Sequence, residues 1–251
     1  MENCGLGYQN AVLSAVLSAD SAADALPVSN LTSPQGNPAY AWRTAATTAT
    51  LTVALAQRGG VRVISVHRTN LTAQASWRIV VSSAGNVLHD TTQPMTAVAG
   101  QAVFVLPAEL QCDVVAITIA DPDNPDGYLS IPLAYVGPLW QPVRNFSTDS
   151  SSGFNLGVDE VTALSGAEFP QMRWIQRKAS IAHQSYGAAE TAILREIQRV
   201  AAVGENILFL PDPGAASQED ALFGRLSGGD IGNPYGPADR RSWTFTLTER
   251  L

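Results

Sequence analysis

Positive charge is scarce in this chain of 251 residues, and lysine is nearly absent, Lys178 being the only one. With 22 acidic against 15 basic residues the formal net charge is −7. That balance opposes non-specific DNA binding, which depends on neutralising phosphates. Cysteine is equally sparse: Cys4 and Cys112 stand far apart, so neither a disulfide framework nor a cysteine metal site is available and the fold must rest on packing. No apolar run reaches the roughly 18 residues that a membrane helix needs. Charged residues make up only 15% of the chain and apolar ones 45%, which excludes an intrinsically disordered polymer. A compact monomer of this mass would expose roughly 10,700 Å².

Motifs of catalysis are missing too. There is no Walker-type phosphate loop, no dinucleotide-binding glycine pattern, no nucleophile elbow and no H-E-x-x-H. The three histidines, His67, His89 and His183, are scattered, and His67 and His183 read as polar residues at strand ends. No catalytic, cofactor-binding or metal-binding residue is assigned, and the chain is read as a non-enzyme. The run Asp121 to Gly127 superficially resembles a calcium loop, yet its glycine falls seventh and Pro132 stands where glutamate is required. It reads as a turn between strands. Residues 11–19 (AVLSAVLSA) have the length of a secretory core, but Glu2 precedes them in place of a basic segment, so synthesis and assembly in the cytoplasm are expected.

What is present is β-structure. Segments 48–56, 61–67, 76–82, 101–106, 113–120 and 128–136 are short and rich in β-branched residues, with turn formers such as Gly59-Gly60 and Gly85-Asn86 between them. Leu51, Val53 and Leu55 alternate with smaller residues, the period of one buried face. No helix interrupts these strands, so the first part is expected to be an antiparallel β-sandwich. Residues 138–156 change to prolines, serines and glycines and read as a connector. Strands follow at 158–164, 172–182, 207–211 and 242–249. The single helix is predicted at 188–202, where Ile193, Leu194, Ile197, Val200 and Ala201 form one stripe between Gly187 and Gly204. The division expected is an N-terminal arm (1–26), a first domain (27–137), the connector (138–156) and a second domain (157–251).

Two residue sets invite binding hypotheses. Tyr40, Trp42 and Trp77 are the aromatics available to stack on a sugar ring. Arg173, Arg177 and Lys178 place alternating charge on the 172–182 strand, which is unusual for a core strand and predicts contact with acidic groups of a neighbouring subunit.

Two blocks also resemble known families. Leu26-Pro-Val-Ser-Asn-Leu, Trp42-Arg-Thr, His67-Arg-Thr-Asn-Leu-Thr and Ser76-Trp-Arg-Ile resemble the galactose-binding-like jelly roll found in phage virion proteins, over about 26–136. From about 157, the Gly157-Val-Asp159 strand, the arginine-rich strand, the helix, Asn206-Ile-Leu-Phe-Leu-Pro-Asp-Pro, Leu222-Phe-Gly-Arg-Leu and Phe245-x-Leu-x-Glu249 resemble distal tail and minor tail proteins of long-tailed bacteriophages. The resemblance implies a mainly β chain of two β-sandwich domains, a jelly roll plus a tail-tube-like sandwich with one flanking α-helix. It further implies a structural virion protein, assembled in the host cytoplasm, that forms a trimeric or hexameric ring. Such a ring joins the tail tube protein to hub and tip proteins and lets DNA pass without binding it stably. An acidic channel wall, with Asp159, Glu160 and Glu168 as candidates, is the corresponding expectation. The alternative is a carbohydrate-binding adhesion protein that recognises a host surface glycan.

Overall fold

The computed structural model describes residues 2–215, 219–233 and 240–250. Its strands, in chain order, are β1 (Gly5–Gly7), β2 (Val16–Ala19), β3 (Trp42–Arg43), β4 (Thr48–His67), β5 (Ser76–Ser83), β6 (Asn86–Pro94), β7 (Ala102–Ala120), β8 (Ser130–Ile131), β9 (Leu133–Gly137), β10 (Ser151–Thr162), β11 (Glu168–Tyr186), β12 (Ile207–Leu210), β13 (Leu222–Gly228) and β14 (Arg241–Glu249). The α-helix α1 spans Ala188–Ala202, between β11 and β12. The chain is mainly β, a β-sandwich with one flanking helix.

In the first half the strand order is β2-β4-β7-β5-β6, with β9 also paired to β4 and a small β3-β8 sheet beside it. Alternation does the folding: Trp77, Ile79 and Val81 of β5 and Val115, Ile117 and Ile119 of β7 all turn inward and are buried. Ala84 and Gly85 both take positive φ (50° and 79°), the backbone that a tight two-residue hairpin requires between β5 and β6. Gly59-Gly60, expected to be a turn, is instead a bulged stretch inside one long strand, with register shifts against β7 on either side. β7 pairs with Gly59 and Gly60 and holds β4 extended through them, and β9 adds a second partner from Val63 to His67.

The second half is a six-stranded sheet, β1-β12-β13-β14-β11-β10. Trp243, Phe245 and Leu247 of β14, Ala179 and Ile181 of β11 and Leu226 of β13 face α1, whose Leu194 and Ile197 are fully buried. The helix starts as its sequence indicates, the Glu190 carboxylate accepting from the Gly187 N–H at 2.6 Å and from the Val143 N–H at 2.9 Å. Gly204 takes a left-handed φ of 87° just beyond its end. Truncating Ile197→Ala leaves a cavity at this seam and is expected to cost about 2–5 kcal/mol in chemical denaturation.

The N-terminal arm divides between the halves: β1 pairs with β12, and β2 pairs with β4. The two sheets are also joined by a shared apolar cluster in which Val63, Val103, Leu133 and Tyr135 meet Leu208, Leu210 and Phe223. Residues 151–156, read as connector, open β10.

Candidate functional site

Beyond the body of the second sheet, β10 and β11 continue together as a two-stranded ribbon. Pairing of β11 with β14 runs from Lys178↔Thr248 to Tyr186↔Arg241. From Glu168 to Arg177, β11 therefore has β10 on one side and, among the described residues, no strand on the other. β10 is the terminal strand of its sheet, so its outer edge is open as well. Two-stranded ribbons are marginally stable in water, and open edges invite pairing with another chain.

Side chains add to that demand. Phe154, Leu156, Val158, Val161, Leu164, Phe169, Met172, Trp174 and Ile175 are nine of the sixteen large hydrophobics that stand exposed among the described residues. The register Phe154↔Arg177, Leu156↔Ile175 and Val158↔Met172 puts five of them on one face as a continuous strip. On the other face Asn155 donates to Gln176 at 3.3 Å, Asp159 pairs with Arg173 at 2.6 Å, and the Trp174 indole lies over Gly157 so closely that a Cβ there would overlap it. Leu164 caps the turn, fully exposed. At about 100 Å² per large side chain the nine present roughly 900 Å² of apolar surface, close to the roughly 800 Å² each partner contributes to a standard interface. The whole chain exposes 12018 Å², about 1,300 Å² above the roughly 10,700 Å² of a typical monomer of its mass.

The ribbon springs from a polar junction between the halves. Arg177 donates to both oxygens of Glu249 (3.0 and 2.5 Å), to the Glu219 carbonyl (2.7 Å) and to the Gln101 amide oxygen (2.8 Å). Gln101 in turn donates to the Ala221 carbonyl at 3.0 Å. His67 Nδ1 lies 3.2 Å from the same Gln101 oxygen and Nε2 lies 2.8 Å from the Ser65 hydroxyl. An amide oxygen only accepts, so the imidazole proton sits on Nδ1 and Nε2 accepts from Ser65. The ring stacks on Phe223 with centroids 4.8 Å apart. Burial pushes its pKa down to about 4; the Gln101 hydrogen bond opposes this, Arg177 adds to it and Glu249 opposes it.

Several expectations change. Arg177 is no free interface residue, since Glu249, 72 positions away, holds it inside the chain. Arg173 is exposed but already paired with Asp159, and Lys178 is exposed. Trp42 and Trp77 are 0% and 1% exposed and form no sugar platform. Trp42 donates to the Ser21 carbonyl at 3.0 Å, and Trp77 packs edge-on to Phe104. Only Tyr40 stands out, over a shallow depression of about 390 Å³ with Ser29, Asn30, Thr32, Ser33 and Asn37. His67 ends β4 as expected, whereas His183 lies inside β11, and both are buried; His183 Nε2 meets the Arg144 carbonyl at 2.7 Å and the ring stacks on Tyr186. Asp121 is buried as well. It accepts from the Thr72 N–H and hydroxyl (2.8 and 2.7 Å) and from Asn124 (2.9 Å), which makes the 121–127 turn a hydrogen-bonded clasp. The exposed strip 154–175 was missed as a site; its only signal in sequence was apolar residues on both faces of one hairpin.

The chain matches no protein-family model and no curated protein. Among solved structures, similar ones are galactose-binding-like jelly-roll carbohydrate-binding modules. The lectin domain of lectinolysin complexed with Lewis B antigen is 12% identical, covering 51% of this chain and 95% of its own, with a TM-score of 0.41. Chitosan-binding module 1 of a chitosanase/glucanase from Paenibacillus sp. IK-5 is 20% identical, covering 52% and 99%, with a TM-score of 0.41. The family 32 module of C. perfringens NanJ, in complex with galactose, is 17% identical, covering 53% and 98%, with a TM-score of 0.40. At these scores the likeness carries no argument about function, and none of it bears on a virion role.

Proposed function

We propose that this chain is a ring-forming structural subunit, and that the ring belongs to the tail tip of a long-tailed bacteriophage. The observation that carries the ring is the β10–β11 ribbon, which has two open edges and a strip of exposed apolar side chains. The outer edge of β10 in one copy is complementary to the outer edge of β11 in the next. A contact between two different surfaces is heterologous, and repeated around an axis it closes into a ring whose ribbons form a barrel without edges. Three or six copies, joining a tail tube protein to hub and tip proteins, is the arrangement that the resemblance of residues 157–251 adds. DNA would pass through such a ring without being held.

A second reading, glycan adhesion, rests on the depression beside Tyr40, where an exposed aromatic ring stands among hydroxyl and amide side chains. Negative-stain microscopy and a glycan array on the same purified protein separate the two. Rings with a central hole and no glycan signal are expected. A monomer at every concentration, retaining a specific glycan, would overturn the ring in favour of adhesion.

A further inference from the structure

The two faces of the ribbon continue into the second sheet and differ in what covers them. The apolar strip runs on into Ala179 and Ile181, which pack under α1. At its base Phe154, Ile175 and Arg177 border a cleft of about 430 Å³ shared with Arg68, Ala99 and Gly100 of the first half. The opposite face is uncovered across β10, β11, β14 and the end of β13. Strand pairing lays its side chains out in rungs. Ser151, Ser180, Thr246 and Ser227 form one rung; Gly153, Lys178, Thr248 and Arg225 form the next; Asn155 and Gln176 follow at the base of the ribbon, and farther out the same face carries the exposed Trp174, Val161 and Phe169. All of these side chains are partly or fully exposed. Towards β12 the same face is closed by the first half, through Leu208 and Phe223.

We infer that, in the ring, the hydroxyl and amide rungs of this face, from Ser227 to Gln176, line the channel while the apolar strip packs outward against the neighbouring copy. The inference rests on the ring reading and deepens it. Water is a poor neighbour for Phe154, Leu156, Val158, Met172 and Ile175, whereas serine, threonine and amide side chains keep their hydrogen bonds to water in a wet channel. The wall so formed is not acidic. Asp159 is the one candidate acid on that face, and Arg173 neutralises it; Glu160 and Glu168 fall on the apolar face by alternation. Lys178 stands beside Glu219 and Asp220, and Arg225 beside Glu249 and Arg250; the other side chains of these rungs are hydroxyls and amides.

Cysteine labelling decides it, because the native Cys4 and Cys112 are both buried. Thr246→Cys and Asn155→Cys probe the hydroxyl face; Leu156→Cys and Met172→Cys probe the strip. In isolated rings a small maleimide is expected to label the first pair fast and the second about tenfold more slowly, since packed interfaces exclude reagent. Circular dichroism of each variant verifies the fold. Rings that label in the reverse order overturn this assignment and leave the ring standing. Failure of the unsubstituted protein to form rings overturns the ring, and this inference with it.

Discussion

In the proposed ring, replacing residues 158–173 with an Asn-Gly turn is expected to leave a folded monomer. The register supports the cut: Gly157 and Trp174 are direct partners, and a two-residue turn of this type joins adjacent antiparallel strands without distortion. Removed with the segment are five exposed large hydrophobics, Val158, Val161, Leu164, Phe169 and Met172, and a sixth goes if Trp174 is also changed to Thr. None of the residues removed belongs to the buried clusters that hold either sheet. Thermal stability of the protomer should therefore change little, whereas assembly should be lost at every attainable concentration. Light scattering coupled to size exclusion reads both species directly. An assembly that survives the truncation would place its contacts elsewhere on the molecule.

Acid should weaken the seam between the halves. His67 is neutral when folded because burial holds its pKa near 4, against 6.5 when unfolded. A lowered histidine contributes its full share of stability above pH 6.5 and loses that share as pH falls from 6.5 to about 4, because the unfolded chain takes up the proton first. The difference corresponds to roughly 3 kcal/mol. Denaturant titrations at pH 7 and pH 4 should show that loss in the native protein beyond whatever carboxylates contribute. In His67→Gln the same comparison should show about 3 kcal/mol less acid sensitivity, although the variant starts less stable for want of the stack on Phe223. Equal acid sensitivity in the two proteins would contradict the assignment of a neutral His67.

Much of the fold was legible because local period and burial agree. The stripe Leu194, Ile197, Ala201 between two glycines gives a helix over 188–202, and that is where α1 lies. Strands β5 and β14 alternate apolar and polar residues and bury the apolar set. The same rule carried a warning about the sugar platform, since Trp77 shares its parity with Ile79 and Val81 and so faces the core. Long strands were less legible: β4 and β7 each read as two shorter ones, because a bulge and a turn use similar residues and only the partner strands decide between them.

The site was harder to read for a physical reason. Exposed apolar side chains are of the same residue types as buried ones, so Phe154, Leu156 and Ile175 carried no mark of exposure. Arg177 misled in the opposite direction. Its charge suggested a partner outside the chain, but Glu249 comes from β14 and Gln101 from the first half, contacts that no local pattern encodes.

Sedimentation velocity on the purified chain across a wide concentration range tests the central claim most directly. A discrete closed oligomer of three or six copies is expected, with little material in between. A single species at the 26.5 kDa of one chain, unchanged at the highest concentration, would contradict it.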